Sequence, residues 1–119
     1  MSVRRWLPPA MWAGFILVLT SIPTLPDVTG GIPIPHIDKV VHLFLYAVLG
    51  WLVTRTLRTR HFASLGAALI GIAVFGVLDE WHQQFFGRDP NLVDWIADVI
   101  GASLGIAAAT RVRAVETAQ

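Results

Sequence analysis

The 119-residue chain is 55% hydrophobic and only 14% charged, where soluble domains carry roughly 25% charged residues. That leaves too little polar surface to coat a water-soluble bundle. A net charge of +1, with the basic residues scattered at segment ends, gives no case for nucleic-acid binding. The absence of cysteine excludes disulfides and thiolate metal sites.

No linker, repeat or low-complexity tract divides the chain, so one domain over residues 1–119 is the simplest reading. Four apolar stretches recur along it, joined by short connections. The first predicts a helix over about 6–22: it is free of charge from Trp6 to Ile22, and Pro8 and Pro9 fit its first turn. Pro23 and Pro26 then stop it. Arg4 and Arg5 before an apolar run also fit a secretory signal, but no small-x-small cleavage pattern follows Ile22, which favours a retained helix. The second stretch predicts a helix over 38–56, the third over 62–84 and the fourth over 92–110, the last with Asn91 as N-cap after Pro90. The fold class expected is all-α, a four-helix transmembrane bundle in the cell (cytoplasmic or inner) membrane.

Arginine placement orients this bundle. Seven of the nine basic residues (Arg4, Arg5, Arg55, Arg58, Arg60, Arg111, Arg113) fall on one side, against Lys39 and Arg88 on the other. Positive charge stays inside, so both termini are expected in the cytoplasm and the connections 23–37 and 79–93 outside.

Those outer connections carry the polar residues. Asp38, His42, Tyr46 and Leu49 share one helical face, with Lys39 beside it. Helix capping by Asp38 and snorkelling by Lys39 account for those two residues alone, but not for His42 and Tyr46 deeper in the helix. In DEWHQQFF, Asp79, His82, Gln83 and Phe86 lie roughly on one face, with Glu80 and Gln84 adjacent. An amphipathic turn lying in the headgroups, anchored by Trp81, Phe85 and Phe86, is the bland alternative. Asp94, Asp98, Gly101, Gly105 and Ala109 form one narrow stripe. Small residues four apart admit a close helix neighbour, and acids within a span turn toward a bundle interior because lipid exposure is costly. Three helices thus bring acids and histidines to one outward level. A structural network neutralised by Lys39 and Arg88 is the competing account.

DKVVHLFLYAVLG (38–50), DEWHQQFFGR (79–88) and DWIADVIG (94–101) together resemble the VanZ-like family, named for a teicoplanin-resistance accessory protein. The resemblance covers residues 38–105. It implies an Asp-Lys-x-x-His start at Asp38, Lys39 and His42, and an Asp-Glu-x-x-Gln block at Asp79, Glu80 and Gln83, followed by Arg88, Asp94, Asp98 and Gly101. The departures are the abrupt Phe86-Gly87-Arg88 turn and Asn91 where a small residue such as serine is common. What the resemblance implies is a small integral membrane protein, linked in some members to lower susceptibility to lipoglycopeptide antibiotics, without a defined reaction.

Two functions follow as expectations. The first is binding of an amphiphile's headgroup, from a membrane lipid or the antibiotic, by Asp38, Lys39, His42, Tyr46, Asp79, Glu80, Gln83, Arg88, Asp94 and Asp98. The alternative is a membrane enzyme modifying a lipid-linked substrate by acid–base chemistry, with His42, Glu80, His82 and Asp98 as candidates. Binding is preferred. No cofactor or metal is assigned: two histidines and several carboxylates suit Zn²⁺ or Mn²⁺, but no HExxH-type spacing supports a site.

Overall fold

The computed structural model describes residues 3–21, 37–87 and 92–118, of which 37–38 and 114–118 by their backbone. Among these lie four α-helices, α1 (Val3–Thr20), α2 (Ile37–Thr56), α3 (Phe62–Gln83) and α4 (Leu92–Ala118), with one 3-10 turn (Gln84–Phe86) and no strand. The described residues form helices and turns alone, in line with the all-α expectation. α3 continued through the 3-10 turn, and α4 as far as Arg113, are long and apolar enough to cross a membrane.

The helix ends differ in places from the expectation. α1 starts at Val3 and not near Trp6, so Pro8 and Pro9 fall in its second turn and not its first. Each proline removes one helical N–H, and the carbonyls that lose a partner belong to the opening turn, at Arg4 and Arg5. Ile22, Pro23, Pro26 and the Asn91 cap lie outside the described residues. α4 runs on to Ala118, eight residues past the expected 110, since nothing in TRVRAVETA breaks a helix. The 3-10 turn ends at Gly87 with φ 78°, a left-handed conformation that glycine adopts without a Cβ penalty.

α2 and α4 run parallel and form the central pair. Gly101 lies on the backbone of Leu43, Gly105 on that of Ala47, and Gly50 on that of Ala102, so the two helices meet backbone to backbone. Two indoles fasten the outer helices to this pair. Trp12 Nε1 of α1 donates to Leu45 O at 2.8 Å, and Trp95 Nε1 of α4 donates to Ala73 O of α3 at 3.0 Å. Ile16, Tyr46, Leu49, Ile72 and Ile106 fill the space between the helices.

At one end of the bundle, Arg60 closes the pair through helix carbonyls. Its guanidinium donates to Thr54 O at 3.0 Å and to Ala109 O at 3.3 Å, and Arg113 reaches Leu57 O at 3.4 Å. The outer surface is apolar on every helix, with Phe15, Val18, Phe44, Ile70, Val74 and Leu104 all exposed.

Candidate functional site

At the opposite end from Arg60, polar side chains turn inward. Helical phase sends His42 and Tyr46 from α2, Asp79, Glu80 and Gln83 from α3, and Asp94 and Asp98 from α4 into the interior, all buried. Lys39 Nζ lies 3.1 Å from Asp94 Oδ1. One turn deeper, His42 Nδ1 lies 2.8 Å from Asp98 Oδ1, both side chains 1% exposed. Asp79 is held between two helices: Tyr46 Oη donates to its Oδ2 at 2.9 Å, and Thr20 Oγ1 from α1 donates to its Oδ1 at 2.7 Å. Hydrogen bonds to a carboxylate are stronger than neutral ones, so hydroxyl donors can hold an acid in an apolar interior.

The His42–Asp98 pair sets the chemistry of the ring. With a carboxylate as its neighbour, Nδ1 is the N–H donor, and the lone pair of the neutral imidazole is then on Nε2. That Nε2 is buried and has no hydrogen-bond partner among the described residues, and the same is true of Asp98 Oδ2. Asp98 Oδ2 points toward Gly76 of α3, where a Cβ would stand 3.5 Å from it and 3.2 Å from the Trp95 ring. Gly76 and Trp95 therefore leave room for the acid between the helices. His42, Glu80 and Asp94 bring one ligand-type atom each to within 4.8 Å of one another. An acceptor nitrogen, several acids and a lysine at one level can bind a polar headgroup, move a proton or coordinate a cation.

The stripe Asp94, Asp98, Gly101, Gly105, Ala109 is buried throughout, and the α2 face of His42, Tyr46 and Leu49 is buried with it. α3 is rotated from the expected face. Glu80, placed beside that face from sequence, is buried, while Phe86 is exposed. His82 is only half-buried and packs its ring on Phe86, 4.9 Å between centroids. It is not in the group formed by His42, Glu80 and Asp94. Gln83 is buried, with its amide 3.4 Å from Glu80 Oε1. Arg88 lies outside the described residues, and Asp38, at the start of α2, is described by its backbone only.

Sequence reasoning missed two residues of this end, Thr20 and Trp95. Thr20 closes an apolar run in which one hydroxyl bonded to the carbonyl four residues back is unexceptional. Trp95 has the composition of an interface anchor, and only its bond to Ala73 shows it as a spacer beside Asp98.

Among the described residues, these features define an all-helical bundle with two membrane-length helices, an apolar outer surface and a buried acid–histidine cluster at one end. The chain belongs to the VanZ/LLP1 family, which it matches over residues 5–113. The match takes in α1, which the motif resemblance had left out. Neither a curated protein nor a solved structure matches the chain. Membership is consistent with a membrane protein linked to glycopeptide resistance.

Proposed function

We propose that all four helices span the cell membrane with both termini in the cytoplasm, and that the outward polar end binds the headgroup of an amphiphile. Its ligand is an envelope lipid or a lipoglycopeptide antibiotic such as teicoplanin. One observation carries this reading: a buried cluster of acids with a histidine nitrogen that has no partner among the described residues, inside a bundle whose outer surface is apolar. Ionisable groups inside a span are costly and are kept where they face a site or a wet cavity. The exposed apolar side chains on every helix favour lipid around the bundle, and the arginine bias favours the orientation. Purification in mild detergent followed by mass spectrometry of co-purified lipid tests the proposal. A defined amphiphile retained by the wild type and lost from Asp98→Asn is the expected result. Identical lipid profiles for the two would refute it.

The His42–Asp98 pair favours a second reading, catalysis. An imidazole oriented by a carboxylate, with its other nitrogen open, is the arrangement of a general base. Appearance of a hydrolysed or modified lipid in the same samples would move the assignment to an enzyme.

A further inference from the structure

His42 and the two acids nearest it come from three different helices, which is why no local spacing in the chain reveals them as a set. α2 supplies the imidazole, α3 Glu80 and α4 Asp94, and their donor atoms lie within 4.8 Å of one another. All three side chains are buried. From this geometry we propose that His42, Glu80 and Asp94 form a binding site for one divalent transition-metal cation.

The histidine gives the argument its direction. Its Nδ1 is engaged by Asp98 at 2.8 Å, while Nε2 is buried in a side chain 1% exposed and has no hydrogen-bond partner among the described residues. A histidine that bonds a metal through one nitrogen almost always donates its other N–H to a carboxylate or carbonyl, which fixes the tautomer and the ring. Asp98 fills that outer role here, which leaves Nε2 as the ring nitrogen available to a metal.

Charge points the same way. Among the described residues, four carboxylates (Asp79, Glu80, Asp94, Asp98) are buried at this end, with Lys39 beside Asp94 as a cation. A cation of charge two held between carboxylates is favoured in a medium of low dielectric. Lys39 does not block it, because its side chain is 23% exposed and can withdraw to the interface. One imidazole and two carboxylates suit Zn²⁺ or Mn²⁺ better than the all-oxygen cations Ca²⁺ and Mg²⁺. Bonds of about 2.0–2.2 Å to nitrogen and oxygen require the three atoms to draw together by about an ångström, within reach of a carboxylate rotamer. Three protein ligands leave coordination positions open for water or an anionic group.

This inference goes beyond headgroup binding and does not require it, since the test uses metal alone. Untagged protein, purified with chelator and exchanged into metal-free detergent buffer, is titrated with Zn²⁺ and with Mn²⁺. One ion per chain is expected, with a raised melting temperature. Glu80→Gln and Asp94→Asn should lose that ion, and Asp98→Asn should weaken it about 10–100-fold by removing the negative charge behind the ring. X-ray absorption of the zinc-loaded wild type should show one imidazole nitrogen with oxygen ligands, a readout that needs no variant to fold. No uptake of either ion by the wild type would overturn the proposal. So would an all-oxygen or multi-imidazole shell, or unchanged binding in folded Glu80→Gln and Asp94→Asn.

Discussion

The two ends of the α2–α4 pair use charge in opposite ways. At the Arg60 end, guanidinium groups donate to carbonyls at or just beyond the last turn of α2, where the helix dipole favours positive charge, and to Ala109 O along α4. At the other end, Asp94 sits in the first turn of α4, where a carboxylate is also favoured. Asp79 and Glu80, however, lie at the C-terminal end of α3, where the dipole opposes them, and they are buried close to further acids. One end is arranged for stability. The other gathers acids against both dipole and desolvation, the local conflict on which the proposed site rests.

The orientation of those two ends is the part of the comparison that breaks all at once. Reporter fusions after Gln119 and within residues 57–60 are expected to be cytoplasmic, and fusions near Thr29 and Asp89 extracytoplasmic. A cytoplasmic signal at residue 89 would reverse the bundle and turn the acid end inward.

Between the ends, the glycine seam should give the largest loss of stability. Gly105→Leu and Gly101→Leu drive a side chain into the backbone of Ala47 and Leu43, with no flexible group to yield. Overpacking of this kind costs about 3 kcal/mol at the upper end of its usual range, read as a clear drop in melting temperature in detergent. Wild-type melting for both would mean that the seam is not a contact.

Tyr46→Phe comes next. It removes the donor to Asp79 Oδ2 and leaves a buried carboxylate oxygen unpaired, at a cost of about 1.5–3 kcal/mol. Thermal melting of the variant checks this, and an unchanged melting point would show that the Tyr46–Asp79 bond contributes nothing. The smallest effect belongs to Arg60→Ala. It loses two hydrogen bonds from a half-exposed side chain, worth about 1 kcal/mol, and should leave amphiphile retention at the far end intact. Loss of retention in a folded Arg60→Ala would couple the ends and blur the contrast between them.

How much of this was legible in the sequence depended on which physical signal each residue carried. The α4 stripe was legible because acids followed by small residues at helical spacing define a face, and that face is buried. His42 and Tyr46 followed from the same phase argument. Glu80 did not, because its direction depends on the rotation of α3 about its axis, which packing against α2 and α4 sets and local sequence does not. The bonds of Asp79 to Tyr46 and Thr20 join residues 33 and 59 positions apart, and no spacing rule reaches that far. Arg60 counted only as one basic residue in the topology argument. Its part in tying Thr54 to Ala109 emerges only when the helix ends are brought together.

The central claim is that the acid–histidine end is a binding site and not a structural network. Asp98→Asn tests it most directly, because it keeps the size of the side chain and its capacity to accept from His42 Nδ1 while removing the charge. The measurement is retention of the co-purified amphiphile, read beside the melting temperature of the same preparation. The account predicts a folded protein that melts close to the wild type and retains no amphiphile, since relieving like charge does not weaken the fold. A variant destabilised by about 3–5 kcal/mol, as when a buried ion pair loses one partner, or one that keeps its amphiphile in full, would contradict it.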